Sequence, residues 1–234
     1  MPRLYLTQSL STLGLIVTDE QVSQLMAYQE LIQKWNTIYN LTAIRDPADI
    51  LTHHLLDSLA VIQPLQRQLA LLTVDASEPP DILKVSSGKL NYSQSNPTRL
   101  LDVGSGAGLP GVVIAICCPD IKVDCIDKVA KKTAFIQQVA AHLKLSNLRA
   151  LHNNVEKLTD KYSVICSRAF ASLANFTAMS GQLLLEGAVW MAMKGKYPSD
   201  EIAALPAGVN MFYSEQLQVP GLDADRCLVW MKSP

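Results

Sequence analysis

Leu100-Leu101-Asp102-Val103-Gly104-Ser105-Gly106-Ala107-Gly108-Leu109-Pro110-Gly111 is an apolar run that meets a carboxylate and then breaks into four glycines within eight residues. A short apolar run is how a parallel strand buried on both faces reads. Glycines directly after it permit positive φ and carry no Cβ, so main-chain N–H groups can come close to a bound molecule. The stretch therefore predicts a buried strand, a turn that holds part of a ligand, and a helix packed back against the strand.

Two registers compete for the ligand. As G-x-G-x-G, the glycines are Gly104, Gly106 and Gly108, with Asp102 upstream, and the pattern resembles the first motif of S-adenosylmethionine-dependent methyltransferases. As G-x-G-x-x-G, they are Gly106, Gly108 and Gly111, a dinucleotide fingerprint whose helix N-terminus takes a pyrophosphate. That second register begins after the turn has already started at Gly104. Pro110 also stands where the helix would offer N–H groups, and proline has none. No Gly-Lys-Ser/Thr follows, which excludes a P-loop. A glycine-rich connection without any ligand ranks third, because so many glycines weaken a fold unless the space they leave is used.

The chain has 234 residues, 49% of them hydrophobic, which suits one large α/β domain or a main domain with a small appendage. Its apolar run from Leu109 to Cys118 is interrupted by Pro110 and Gly111 and is too short to cross a bilayer. Met1-Pro2-Arg3-Leu4 leads into polar residues without the pattern of a signal peptide. The expectation is a soluble cytoplasmic monomer with no membrane partner. Cys117, Cys118, Cys125, Cys166 and Cys227 are odd in number, lie in apolar surroundings and form no C-x-x-C pair, so they read as reduced core thiols, and no metal site is expected.

Residues 1–74 read as a helical segment. Thr18 and Gln21 form a candidate capping box ahead of Val22, Leu25, Met26, Tyr28, Ile32 and Trp35 at roughly helical spacing. Asp46-Pro47 starts the next helix, which carries Ile50, Leu51, His54, Leu55 and Leu59 toward a core and is limited by Pro64. Residues 75–97 hold three prolines and little apolar periodicity, and are expected to be a long flexible linker. From residue 98 to 234, strands at Arg99–Val103, Lys122–Asp127, Leu148–His152, Tyr162–Ser167 and Val189–Met193 alternate with helices at Pro110–Cys118, Ala130–Leu143 and Leu173–Leu184. Val209–Gln218 and Arg226–Lys232 then form a closing hairpin around Pro220-Gly221. The fold class is α/β: a Rossmann-like sheet, mostly parallel with its last strand antiparallel, bearing an N-terminal helical extension. A closing hairpin of this kind resembles the class I methyltransferase sheet more than a dinucleotide domain.

In such a sheet the ligand lies at the carboxyl ends of the strands. Asp127 ends the second strand, where two acceptor oxygens suit the vicinal hydroxyls of a ribose; capping the next helix is the plainer role. Asn154-Val155-Glu156 follows the third strand, where a methyltransferase holds adenine, although a solvated Glu is the bland alternative. Asp102 is expected to be a structural or sulfonium-side carboxylate rather than a base. Arg168, within Ser167-Arg168-Ala169-Phe170, is expected to point into the crevice. Net charge is −1, yet residues 98–234 hold 14 basic and 12 acidic side chains against 4 and 7 in residues 1–75. Lys128, Lys131, Lys132, Arg168, Lys194 and Lys196 all fall near one rim, where a phosphate-rich substrate would meet them. Ordinary solvated lysines are the alternative, but lysines at a helix N-terminus oppose its dipole, and that small cost asks for a reason.

Taken together, Trp35-Asn36 through Asn40-Leu41-Thr42, His54-Leu55-Leu56-Asp57-Ser58-Leu59, the glycine stretch and Ser167-Arg168-Ala169-Phe170 resemble the ribosomal RNA small-subunit methyltransferase G family, also called glucose-inhibited division protein B, in order over nearly the whole chain. The resemblance implies methyl transfer from S-adenosylmethionine to guanine N7 in a decoding-centre loop of 16S rRNA, on free rRNA or the 30S subunit. It implies cofactor contacts at Gly104, Leu109, Val155, Glu156 and Arg168, to which the glycine motif adds Gly106 and Gly108 and the ribose argument adds Asp127. Substrate contacts are expected at Asn40, His54, Lys128, Lys131, Lys194 and Lys196, with Tyr39, His54 and Phe170 as candidate stacking partners, core packing being the alternative for each if it is buried. Asn154 departs from the Arg usual in the family, His53 from an often basic residue, and the 75–97 connection is longer. Guanine N7 already carries an exposed lone pair, so no general base and no catalytic residue in that sense is expected. A small-molecule methyltransferase, a nicotinamide-dependent dehydrogenase and a noncatalytic RNA-binding module are the competing readings.

Overall fold

A computed structural model describes residues 2–73 and 98–233, so the linker expected at 75–97 lies outside the described residues. Helix α1 spans Pro2–Thr12 and α2 spans Asp19–Tyr39. The capping box at the start of α2 is formed as read: Thr18 Oγ1 accepts from the Gln21 N–H, and Gln21 Oε1 accepts from the Thr18 N–H at 2.8 Å. Asn40 ends the helix in the left-handed conformation, with φ 48°. Helix α3, Pro47–Ile50, starts at Asp46, whose side chain accepts from the Ala48 and Asp49 N–H groups.

The chain then continues without a break through a wide π-helical turn, Leu51–Leu56, into α4, Asp57–Leu59. Periodicity gave no sign of the wide turn. Pro64 does not limit this helix, which stops at Ala60; it sits in the first turn of α5, Ile62–Thr73, where a missing N–H has no partner to lose.

Seven strands form one sheet: β1 Arg99–Val103, β2 Lys122–Asp127, β3 Leu148–His152, β4 Tyr162–Arg168, β5 Leu184–Lys194, β6 Asn210–Gln216 and β7 Cys227–Lys232. Their order is β3-β2-β1-β4-β5-β7-β6, and β7 runs antiparallel to both β5 and β6. The expected sheet is therefore present, with β5 beginning five residues before the predicted Val189. Its first residues are exposed and include Gly187 at φ 73°, so they lack the apolar signature of a buried strand. Helix α6, Gly111–Cys117, α7, Ala130–His142, α8, Leu173–Ser180, and the short α9, Ser199–Ala203, complete the α-helices among the described residues. Helix α8 is shorter than predicted because Gly181–Leu183 tightens into a 3-10 turn.

The helical segment covers one face of the sheet and shares its core. Leu25, Tyr28, Ile32, Leu55 and Leu59 belong to the same buried cluster as Val112 and Ile116 of α6, Phe135 of α7 and Val164 of β4. Polar ties fix the angle: Gln21 Nε2 donates to Ile116 O at 2.8 Å, and the Tyr28 hydroxyl donates to Ala107 O at 2.6 Å. On the opposite face, Leu173 and Phe176 of α8 pack with Leu101, Ile165 and Trp190. At the amino ends of the strands, buried Asp124 accepts from Arg99, Arg149 and the Tyr162 hydroxyl, and Asp160 accepts from both arginines. Burial pushes the Asp124 carboxyl up, but the bonds from Arg149 and Tyr162 outweigh it and hold it below the usual carboxylate range.

Candidate active site

The glycine turn is built on the neighbouring strand. The Gly104 and Ser105 N–H groups both donate to Ile126 O, and the Gly106 N–H donates to Asp127 Oδ2 at 3.0 Å. Gly104 has φ 67°, and a Cβ there would collide with the Phe170 ring, so only glycine fits this conformation in this space. Gly111 serves a different need: its N–H donates to Asp102 Oδ2 at 2.8 Å, and a Cβ would run into Cys125 and Asp102. The glycines of both sequence registers are thus used, the first three in the turn and the last where α6 approaches the strands.

Asp102 lies in β1 itself, fully buried, with Oδ1 unpartnered. Burial raises its pKa to about 7, against the opposing pull of the Gly111 N–H and of Arg168. Asp127 binds backbone through both oxygens, Oδ1 accepting from the Val129 N–H at 2.9 Å and Oδ2 from the Gly106 N–H at 3.0 Å, and the rim residue Lys132 pairs with it, its amine 3.8 Å from Oδ2. It shapes the turn and does not cap α7, whose cap residue is Val129.

Two cavities open at the carboxyl ends of the strands. The first, about 450 Å³, is lined by Asp127, Lys128, Val155, Glu156 and Phe170 among others. The second, about 470 Å³, lies between the sheet and the helical segment and is lined by Thr42, His53, His54, Asp57, Gly106, Leu109, Arg168, Lys194 and Arg226 among others. Gly104 and Ala169 line both, so the two cavities meet at the glycine turn. Ala169 holds a left-handed φ of 54° at this junction. A molecule with a nucleoside end and an extended polar tail could span the pair across Gly104.

The candidate residues therefore separate. Gly104, Asp127, Lys128, Val155 and Glu156 gather at the first cavity, while Gly106, Leu109, His54, Arg168 and Lys194 gather at the second. Gly108 is buried behind the turn, and Asn40, Lys131 and Lys196 are exposed and line neither. Two expectations about the rim need correction. Lys194 is not a free cation: its amine bonds Glu201 at 2.7 Å and Ala171 O at 3.0 Å. Arg168 does reach the crevice, but its guanidinium is turned onto Asp57 Oδ2 at 2.9 Å and His53 O at 3.1 Å. Of the stacking candidates, His54 is buried, Phe170 lies over Gly104, and exposed Tyr39 stacks on Trp35 at 5.1 Å.

Asp57 is the residue whose role the sequence hid. Its other oxygen accepts from Arg226 Nε at 2.7 Å, so one buried carboxylate joins the helical segment to the ends of β4 and β7. The π-helical turn just before it is a feature found often at functional sites. Its neighbour His54 is neutral at physiological pH, because burial and then the Arg168 charge lower its pKa to about 4.

The family model of rRNA small subunit methyltransferase G, GidB, matches residues 21–76 and 81–229. The chain belongs to this family. Ribosomal RNA small subunit methyltransferase G of Albidiferax ferrireducens is 60% identical over 223 residues, covering 95% of this chain and 93% of that protein. The methyltransferase G of a Polaromonas species is 56% identical over 227 residues, covering 97% and 92%. Among solved structures, TrmN from Thermus thermophilus superposes with a TM-score of 0.50 at 17% identity, covering 59% of this chain and 44% of that one, which speaks to the fold alone. The methyltransferase G assignment agrees with the strand order and with the earlier Gly104 register. No helix among the described residues is long and apolar enough to cross a membrane.

Proposed function

We propose that the protein transfers a methyl group from S-adenosylmethionine to N7 of a guanine in a decoding-centre loop of 16S rRNA. The observation that carries this reading is membership of the methyltransferase G family over most of the chain, with 60% identity to a curated relative. The joined cavities suit it. Asp127 would face the ribose, and Val155 and Glu156 the adenine. Gly104, having no side chain, leaves room for the tail of the cofactor to pass toward Leu109 and Arg168. The cofactor, when bound, supplies an electrophilic methyl group on a sulfonium.

The target base would then enter the second cavity. Its N7 lone pair forms the new bond to carbon as the sulfur–carbon bond breaks, and the positive charge passes from sulfur to the purine. N7 carries no proton in this step, so the residues of the cavity need to align, hold and dry the reactants. The neutral His54 and the paired Lys194–Glu201 fit that task, because an unpaired cation beside the base would oppose its growing charge. The base must be unstacked to enter, as single-stranded loop recognition requires. Exposed Lys131 and Lys196 outside the cavities, and exposed Lys128 in the lining of the first, would meet rRNA phosphates. The enzyme would work as a cytoplasmic monomer, and light scattering should give the mass of one chain.

Incubation with labelled S-adenosylmethionine and 30S subunits from a strain lacking the modification should place label in 16S rRNA, recoverable as 7-methylguanosine. Absence of label overturns the reading. A small-molecule methyltransferase would instead turn over without rRNA, and a noncatalytic RNA-binding module would retain RNA without turnover.

A further inference from the structure

A third cavity, a groove of about 360 Å³, lies away from the glycine turn, between α2 and α7. Trp35, Ile38 and Tyr39 of α2 line one side of it, and Gln138 and His142 of α7 the other. Ile38 is 68% exposed and Tyr39 38%, so the end of α2 presents an apolar surface that the core does not use. Tyr39 is nevertheless held in place. Its ring stacks on Trp35 at 5.1 Å, Trp35 meets Phe135 at 5.5 Å, and Phe135 stacks on Tyr28 at 6.4 Å. Tyr28 and Phe135 are fully buried, and the Tyr28 hydroxyl donates to Ala107 O inside the glycine turn. Four rings thus form a row from that turn to the surface. One face of Tyr39 is taken by Trp35, and its exposed remainder can accept another ring.

The groove is flanked by cations. Gln24 Nε2 donates to Leu143 O and Trp35 meets Phe135, so α2 and α7 run antiparallel. Four residues further along each helix, about one turn, Tyr39 comes level with Lys131. Lys34 lines the groove itself, and just beyond Tyr39 the Arg45 guanidinium donates to Asn40 Oδ1 at 3.0 Å. Lys34, Arg45 and Lys131 are exposed, and none of them joins an ion pair among the described residues. No carboxylate among the described residues lines the groove; Glu30, one turn before Lys34, stays outside it. The groove also adjoins the second cavity. Tyr39 lines one and Leu41 the other, two residues apart, with Asn40 and its partner Arg45 at the junction.

We propose that this groove holds an unpaired rRNA base next to the target guanine, stacked on Tyr39, while Arg45 meets the phosphate that joins the two nucleotides. The inference rests on the methyl-transfer reading above. An aromatic platform with cations at its side is how a single strand is held, because every base has a π-face and every link a negative charge. A second copy of this chain, docked through the same face, would set Lys34 and Lys131 against themselves. Stacking of the neighbour also repays part of the cost of pulling the target out of its own stack. Because stacking tolerates any base, the groove positions the strand, and the choice of guanine is left to the second cavity.

The test compares wild type and Tyr39→Ala on reconstituted 30S particles whose rRNA is intact or carries an abasic residue immediately 5′ or immediately 3′ of the target guanine. On intact particles Tyr39→Ala should lower kcat/KM about 5- to 100-fold. On the particle abasic at the stacked position the two enzymes should be equal, because the ring has no base left to hold. Tyr39→Phe, which keeps the ring, should recover the loss on intact particles, and affinity for S-adenosylhomocysteine should be the same in all three enzymes. Wild type alone should lose a similar factor between the intact and that abasic particle, a comparison that needs no variant to fold. No loss in Tyr39→Ala on intact particles, or a loss of the same size on intact and both abasic particles, overturns the inference. So does a dimer, seen by light scattering, that Tyr39→Ala abolishes. Failure of wild type to methylate the intact particle at all would instead overturn the methyl-transfer reading.

Discussion

Asp57 and Asp124 are both buried, and each joins two arginines, but they stand at opposite ends of the strands. Asp124 gathers Arg99, Arg149 and Tyr162 from β1, β3 and β4, and none of these residues lines either cavity at the glycine turn. Asp57 reaches from the helical segment to β4 and β7, and it lines the second cavity together with both of its arginines. The same side-chain chemistry serves cohesion at one end and the shape of a binding site at the other. Which task a carboxylate–arginine cluster performs is set by its end of the parallel sheet.

The sharpest way to break this comparison is to remove each carboxylate. Asp57→Ala leaves two guanidinium groups facing a gap and should cost about 3–5 kcal/mol of stability, measured by urea unfolding. Methyl transfer by the fraction still folded should fall by roughly 100-fold or more, since the walls of the second cavity shift. Asp124→Ala should cost stability on the same order and leave S-adenosylhomocysteine affinity, measured by calorimetry, unchanged. Equal damage to cofactor binding in both variants would dissolve the contrast.

The site end should also reveal itself through pH. His54 titrates at about 4 when folded against 6.5 unfolded, so between those values the unfolded chain holds the extra proton and stability falls as pH falls. Asp102 titrates at about 7 against 3.8, so the folded chain holds the extra proton and stability falls as pH rises through that window. The two oppose each other. In Asp102→Asn, stability should climb by up to about 3 kcal/mol as pH goes from about 4 to 6.5. In His54→Gln it should decline over a similar range, as followed by unfolding midpoints.

Gly104→Ala should cost about 1–2 kcal/mol from its left-handed φ, with further loss from the Phe170 ring, and should weaken cofactor binding. Gly106→Ala, whose Cβ would come no closer than 4.0 Å to Gly104 O, should carry only the backbone cost. The smallest effects belong to the exposed lysines. Lys131→Ala or Lys196→Ala should raise KM for 30S particles modestly and reduce the salt slope of RNA binding by about one for each phosphate no longer neutralised.

What could be read from the sequence follows from range. β1, β2 and β3 have the predicted bounds, because a strand buried on both faces writes its whole signature locally. The capping box of α2 and the glycine turn are likewise local. The first residues of β5 were missed because they are exposed, and the wide turn over Leu51–Leu56 because apolar spacing does not record which carbonyl an N–H reaches. At the site, Arg168 could be placed at a strand end, but its partner Asp57 lies 111 residues away and Arg226 lies 169 residues from Asp57. Lys194 read as a free rim charge for a different reason: Glu201 is near in sequence, but it lies on the separate short helix α9, and only the fold brings the two together.

The bond from Asp57 to Arg226 also sets an order of events during synthesis. A ribosome delivers residues 51–59 early, but the carboxylate among them has no second arginine until the start of β7 has emerged. The wall of the second cavity that Asp57 and Arg226 share is therefore among the last parts of the molecule to close. A nascent chain halted before Arg226 should carry the glycine turn without a finished second cavity, so that cavity takes its shape late.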